Sequence, residues 1–258
     1  MDDSPSTTYE LVLGIETATR TQAIALIEGD KLVEHRVRRV VFNHGSSLLK
    51  GIDELLEERR IELGDIDLFA AGLGPGSFTG LRVGLATAKA LSRSVGAPIA
   101  GVSSLAALAY GPARTNPDAT VVASIDARRG EVYAGAYRWS DGELMTVVKD
   151  RAAAPERWIA YVESELDGPF LQVGDGQLRY PVLKDWSHPE LVTLSTDIAC
   201  PSAVGVARQA RHVATTDGPH DLISLEPNYI RPSDAVLPDK PPKPMPPDPD
   251  EVEPETEE

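Results

Sequence analysis

Two acidic residues stand at similar places in the two halves of the chain, and they are the first candidates for chemistry. Glu16 follows the apolar run LVLGI, and Asp126 follows the apolar run TVVASI. Carboxylates at the ends of two buried strands are suited to holding a magnesium ion together with the phosphates of a nucleotide. Each strand-end acid is a weak signal when it is taken alone.

A glycine-rich segment, GLGPGSFTGLRVGLATAKAL (72–91), is the second candidate. Gly74, Gly76 and Ser77 precede a predicted helix, and backbone N–H groups at a helix N-terminus favour anions. Together with Thr17 they are candidates for a vestigial phosphate loop. The segment has no Walker lysine, since Lys89 lies too far along the helix. The alternative, glycines that satisfy a tight turn, is therefore favoured.

The same helix carries small residues four positions apart, Gly80, Gly84 and Ala88, which must share one face. Such a face can pack against the chain's own sheet or admit a helix of a partner. We favour the partner, because the leucines of the helix already supply contacts to the core. A helix predicted over 46–60 stands beside it. The candidate partner interface therefore comprises His44, Ser47, Leu48, Gly51, Gly80, Gly84, Thr87 and Ala88.

A third group of charged residues, Asp126, Arg128 and Glu131, follows the second apolar run. A remnant of a nucleotide site and an internal ion pair explain it equally well. No pattern typical of a hydrolase or of a redox centre is present, and the single cysteine, Cys200, has no histidine beside it.

The composition limits the partners. The chain has 258 residues and a net charge of −15, so strong direct binding to nucleic acid by this chain alone is not expected. No signal peptide or membrane span is expected, and low cysteine usage predicts a cytoplasmic protein. Residues 1–8 are expected to be a flexible leader, and the acidic, proline-rich residues 238–258 a disordered tail.

The elements in between are predicted to form an α/β fold with a duplicated plan. Each half opens with three strands joined by hairpin turns, over 11–37 and 120–148, and continues with an amphipathic helix. Strand-helix alternation follows in the first half. We expect two lobes, at 9–112 with the partner-binding helices and at 113–237, in the strand-strand-strand-helix-strand-helix order of actin-like ATPases and ribonuclease H-like proteins.

Several motifs occur in an order and spacing that resembles the bacterial TsaB family. They are IETATRTQAIAL, GLGPGSFTGLRVGLATAKAL, GVSSLAALA, SIDARRGEVYAGAY, GDGQ and PNYIRP, and together they cover most of residues 11–232. The resemblance implies the actin, sugar-kinase and Hsp70 superfamily. It also implies a subunit of the complex that places a threonylcarbamoyl group on the adenosine beside the anticodon of certain transfer RNAs.

The resemblance also implies the partners. TsaD performs the transfer, TsaB is its non-catalytic relative and binds it, and TsaE, a P-loop ATPase, joins them. The two helices form the face that meets TsaD or, in its absence, a second TsaB. Transfer RNA is then expected only through the complex, and no membrane is involved. No cofactor is expected in this chain, and ATP at the assembled complex stays open.

Two departures support a non-catalytic subunit. TsaD has two metal-binding histidines four residues apart, in a segment that resembles GVNHLEGH, and the matching places here hold Ser104 and Leu108. Leucine has no lone pair for a metal, so no metal site is expected. The family's aspartate is replaced by Glu16, whose extra methylene moves the carboxylate. The alternative function is an ATP-dependent phosphotransferase of the sugar-kinase type that uses Glu16 and Asp126.

Overall fold

The first half of the chain forms one mixed sheet. The computed structural model describes residues 8–39, 44–188, 191–193 and 200–231. The strands of this sheet are β1 (Leu11–Glu16), β2 (Thr21–Glu28), β3 (Lys31–Arg39), β4 (Leu68–Gly72) and β5 (Ile99–Val102). β1, β2 and β3 form an antiparallel meander, while β4 and β5 continue the sheet in parallel on the other side of β1. The predicted meander over 11–37 is confirmed.

The second sheet repeats the first. Its strands are β6 (Thr120–Arg128), β7 (Glu131–Ser140), β8 (Glu143–Ala153), β9 (Phe170–Val173) and β10 (Leu191–Thr193). The strand orders are β3-β2-β1-β4-β5 and β8-β7-β6-β9-β10, with the same parallel and antiparallel pairings. The duplicated α/β plan is therefore confirmed, and it places the carboxyl ends of β1 and β6, with their acids, at equivalent positions.

Helices cover the faces of the two sheets. They are α1 (His44–Arg59), α2 (Phe78–Val95), α3 (Ser104–Thr115), α4 (Pro155–Glu165), the short α5 (Gly176–Arg179) and α6 (Pro181–Lys184), and α7 (Ala203–Thr216). α1 and α2 pack on one face of the first sheet, and their core includes Leu13, Leu26, Leu55 and Leu85. α4 packs on the outer face of the second sheet around Trp158 and Phe170.

α7 and α3 lie between the two sheets. α7 packs on the first sheet through Val206, Ala207 and Ala210, whereas α3 packs on the second sheet. The two helices cross closely, because a Cβ on Gly205 of α7 would lie only 2.2 Å from the Ala107 carbonyl oxygen of α3. Residues 203–216 thus return to the sheet of the first half, although they belong to the range predicted for the second lobe.

The segment after α7 also returns to the first sheet. Leu225 joins the core beneath α1 and α2, and the Asn228 N–H donates to the Leu73 carbonyl. In the described part of the chain, none of the helices has the combined length and hydropathy needed to span a bilayer. The predicted leader, apart from residue 8, and the predicted tail lie outside the described residues.

Candidate functional site

The glycine-rich loop joins β4 to α2 and is already in contact with the chain itself. Gly74 has φ +96°, a conformation that favours glycine. The Gly74 N–H donates to Ser104 Oγ (3.2 Å), and the Ser77 N–H donates to the Ala18 carbonyl (2.7 Å). A Cβ on Gly76 would lie 2.3 Å from the same Ala18 oxygen. These contacts favour the tight-turn interpretation over a phosphate cradle.

Ser77 begins α2 as its N-cap residue. Its Oγ accepts a hydrogen bond from the Gly80 N–H (3.3 Å), and its backbone is extended as a cap requires. The hydroxyl of Ser77 therefore serves the helix, and one of the N–H groups that a phosphate would need is used within the protein.

The small-residue face of α2 is filled by the loop that follows β1. The Thr17 hydroxyl donates to the Gly80 carbonyl (2.8 Å), and Thr17 is 1% exposed. A Cβ on Gly80 would lie 2.2 Å from the Thr17 carbonyl oxygen, and one on Gly84 would lie 2.1 Å from Thr17 Oγ1. Ala88, on the same face, is fully buried. The expectation that Gly80, Gly84 and Ala88 face a partner is corrected: the chain's own loop occupies their notch.

The other candidate interface residues also point inward. Leu48 lies in the core, and a Cβ on Gly51 would touch Ile24 Cδ1 at 3.0 Å. Ser47 Oγ donates to the side chain of Gln22 (3.0 Å), and Thr87 is 8% exposed. The side chain of His44 is outside the described residues. The predicted interface residues that the structure describes therefore lie on the inner surfaces of α1 and α2.

The outward surface of α1 and α2 is made of other residues. Leu49 on α1 is 48% exposed, Val83 on α2 is half-buried, and Ala86 and Ala90 on α2 are exposed. We call Leu49, Val83, Ala86 and Ala90 the outer helix face. Its signal was present in the sequence, because residues 83, 86 and 90 recur at helical spacing opposite Leu81, Leu85 and Ala88.

Glu16 lies inside the protein. It is 2% exposed, the Ala18 N–H donates to its Oε1 (2.6 Å), and a Cβ on Gly72 would lie 2.1 Å from its Oε2. Burial raises the pKa of the Glu16 carboxyl, and the neighbouring polar groups of Ser104, Ala18 and Thr17 act against that rise. A carboxyl enclosed in this way does not present its oxygens to a bound nucleotide or to a magnesium ion.

The two positions that correspond to the histidines of TsaD are part of the core. Ser104 is fully buried, and its Oγ accepts from the Gly74 N–H. Leu108 is 2% exposed and packs among Ile125, Leu171 and the other residues between α3 and the second sheet. Among the described residues, no three His, Cys, Asp or Glu side chains are placed to hold a metal ion.

Asp126 belongs to a hydrogen-bonded network at the end of β6. Its Oδ1 accepts from the Arg128 N–H and from the Tyr180 hydroxyl, both at 2.8 Å, and its own N–H donates to Asp175 Oδ1 (2.8 Å). Burial, with the hydrogen bond and charge of Asp126, raises the pKa of Tyr180 to about 12. Burial also raises the pKa of Asp175. The network connects β6 with α5 and α6 rather than with Glu16.

Arg128 and Glu131 lie near Asp126, and Asp126 and Glu131 form ion pairs with arginines outside the predicted group, Arg179 and Arg231. Arg128 contributes its backbone N–H, and its side chain is exposed. Glu131 pairs with Arg231, whose Nη1 lies 2.8 Å from Glu131 Oε2 and whose Nη2 donates to the Ala127 carbonyl. Sequence reasoning missed Arg231, which is 100 positions from Glu131.

Comparison with known proteins gives one family. The family model for TsaD, tRNA N6-adenosine threonylcarbamoyltransferase, matches residues 38–200. The tRNA threonylcarbamoyladenosine biosynthesis protein TsaB of Bacillus subtilis is 30% identical over 227 residues, which cover 87% of this chain and 95% of that protein. TsaB of Escherichia coli is also 30% identical, over 85% of this chain and 94% of its own length.

A solved structure agrees with the sequence relatives. YeaZ from Pseudomonas aeruginosa aligns with a TM-score of 0.73 and 26% identity, covering 85% of this chain and 99% of that chain. The sequence relatives and the solved structure therefore indicate the same family over nearly the whole length of those proteins. The chain belongs to the TsaB family, within the wider group that the TsaD family model describes.

Proposed function

We propose that this chain is a non-catalytic subunit of the complex that makes N6-threonylcarbamoyladenosine in transfer RNA, and that it binds and activates TsaD. The names of its relatives support a role in this biosynthesis. TsaE is the third member of the proposed complex, and any ATP is bound at the assembled complex rather than in this chain.

The observation that carries the proposal is the burial of Ser104 and Leu108. Where the catalytic relative has two imidazoles, this chain has a buried hydroxyl that caps the glycine-rich loop and an apolar side chain in the core. These two replacements do more than alter the geometry of a metal site, since Leu108 fills the space between α3 and the second sheet. The chemistry of the complex therefore belongs to the partner.

The outer helix face supports docking through α1 and α2. An exposed leucine beside exposed alanines is suited to close helix-to-helix packing, because short side chains let two backbones approach. Two helices on each side give a four-helix contact of about 1,600 Å² in total, the usual size of a specific interface. The same face serves a homodimer when TsaD is absent.

Docking can activate TsaD without any reacting group from this chain. If TsaD has a competent and an incompetent arrangement, a subunit that binds the competent one more tightly raises its population. The proposed role of this chain is to supply that difference in binding free energy.

The test is binding to TsaD of the same organism, measured by calorimetry. Ala86→Glu places a charge on the outer helix face. It should raise the dissociation constant at least about tenfold, which corresponds to a loss of ~1.4 kcal/mol of binding free energy. Ala160→Glu, the same substitution at an exposed position of α4, is the matched control and should bind as the wild type does. Equal affinity of Ala86→Glu and the control would refute docking through this face.

The phosphotransferase alternative has no observation in its favour. It requires Glu16 and Asp126 to act together on magnesium in an open cleft. Glu16 is buried against Gly72 and Ser104. Asp126 already accepts hydrogen bonds from the Tyr180 hydroxyl and the Arg128 N–H.

A further inference from the structure

Exposed arginines gather at the carboxyl ends of β1 and β6, in a chain that is otherwise acidic. Asp126 and Asp175 lie among them. Arg179 Nε lies 4.0 Å from Asp126 Oδ2, and Arg20, which follows β1, is near enough for its charge to lower the pKa of Asp175 against the larger effect of burial. Arg128 follows Asp126 in the hairpin between β6 and β7 and is exposed. We call Arg20, Arg128 and Arg179 the arginine cluster.

Two further arginines extend the arginine cluster, one toward Glu131 and one toward α2. Arg231 contacts Glu131 at the start of β7 and the Ala127 carbonyl near the end of β6. Two residues before it, Tyr229 accepts a hydrogen bond from Arg82 Nε (2.9 Å), and the Arg82 guanidinium lies 3.9 Å from the centre of the Phe78 ring. The Phe78 and Tyr229 rings are 4.9 Å apart. A basic surface is thereby continuous with an aromatic one.

The charge balance of this surface is opposite to that of the protein. Five arginines, at 20, 82, 128, 179 and 231, outnumber the partly exposed acids beside them, Asp126, Asp175 and Glu131. The chain as a whole carries −15. All five cations are arginines rather than lysines, and the planar guanidinium is the group suited to phosphate oxygens and to stacking on bases.

The hairpin that presents Arg128 is a tight turn with positive φ angles. Arg128 and Arg129 have φ values of +60° and +56°, where glycine or asparagine is the favoured residue. Hairpin geometry accounts for these angles, because a two-residue turn requires positive φ at Arg129 and Gly130 and the pairing of β6 with β7 shifts register between Asp126 and Arg128.

We propose that the arginine cluster binds the phosphate backbone of RNA, and that this chain contributes directly to holding transfer RNA in the complex. This rests on the proposed function, which supplies the RNA. The proposal reverses the expectation that RNA contacts come only from the partners. The negative charge of the whole chain does not oppose it, because charges beyond about 8 Å are largely screened at physiological salt and the local surface is positive.

The experiment measures binding of a labelled substrate transfer RNA transcript to the complete complex, with the full-length chain, between 50 and 200 mM NaCl. In the triple variant Arg20→Gln, Arg128→Asn, Arg179→Gln, the slope of log K against log salt should fall by about 2 to 3, since each lost phosphate contact removes ~0.7–0.9. The dissociation constant should rise at least tenfold. Arg157→Asn on α4, also exposed, is the control and should leave both unchanged.

Two further measurements separate the possible failures. Arg128→Asn alone should unfold at the same or a higher temperature than the wild type while RNA binding weakens, because asparagine tolerates the backbone conformation better. Calorimetry with TsaD comes first: if the wild-type chain does not bind TsaD, the proposed function fails. If it binds TsaD normally and the triple variant keeps the wild-type salt slope, the arginine cluster is not an RNA site.

Discussion

The packing of Thr17 into α2 can be tested by adding a single methyl group. In Gly80→Ala the new Cβ would lie 2.2 Å from the Thr17 carbonyl oxygen, a backbone atom that cannot rotate away. The shift it forces should cost about 1–3 kcal/mol. Loss of the Thr17–Gly80 hydrogen bond should add about 1 kcal/mol. The higher helix propensity of alanine relative to glycine offsets about 1 kcal/mol of this loss in stability.

The net expectation for Gly80→Ala is a loss of about 1–3 kcal/mol, or a fall in melting temperature of roughly 3–10 °C for a chain of this size. Urea unfolding followed by circular dichroism measures it. Gly45→Ala in α1 is the matched control, since no atom of the described residues lies within 4 Å of its added Cβ, and its stability should be unchanged or slightly higher.

Gly84→Ala provides an internal check. Its Cβ would meet Thr17 Oγ1 at 2.1 Å, while the remaining Thr17 atoms are at 3.3 Å or more. Thr17→Ala removes that oxygen, so it should rescue much of the loss in Gly84→Ala and none of the backbone clash in Gly80→Ala. If Gly80→Ala were as stable as the control, the small-residue face would be open, and the original partner interpretation of that face would be restored.

Three other substitutions test the buried Glu16 and the two serine N-caps. Glu16→Gln should be more stable than the wild type at pH 8. The pKa of Glu16 is raised in the folded state, so ionisation of this carboxyl favours the unfolded chain as the pH rises above the ordinary carboxyl range. The difference in stability should vanish near pH 4, and urea unfolding midpoints at the two pH values measure it. Ser103→Ala removes the N-cap of α3 and the hydroxyl that donates to Asp150 Oδ2 (2.5 Å), so it should lower the free energy of unfolding by about 2–3 kcal/mol. Ser77→Ala removes only the N-cap of α2 and should lower it by about 1 kcal/mol in the same assay.

The periodicity of the sequence was sufficient for most elements and insufficient for the faces of α1 and α2. The meanders and the first four helices follow from alternating and helical apolar spacing, which are local signals. α7 has the same helical spacing, at Ala203, Val206, Ala207, Ala210 and Ala214. Its docking on the first sheet is not local, because it depends on the duplicated fold bringing residues 203–216 back to β1.

The candidate site shows why the face of α2 could not be chosen from sequence. Leucines on one stripe and small residues on another each fit a buried surface. The decision depends on Thr17, which is 63 positions from the Gly80 carbonyl that accepts its hydrogen bond. Arg231 was missed for the same reason, since its partner Glu131 is 100 positions away. Composition indicated an acidic chain but did not predict that arginines lie together at the carboxyl ends of β1 and β6.

The central claim is that this chain assists a reaction performed by its partner. The direct measurement is transfer of a labelled threonylcarbamoyl group from its supplied donor to transfer RNA, with the protein components added singly and together. We expect no incorporation with this chain alone, incorporation with TsaD, TsaE and this chain together, and loss of it when this chain is omitted or carries Ala86→Glu. Incorporation by the isolated chain, or full activity of the other components without it, would contradict the account.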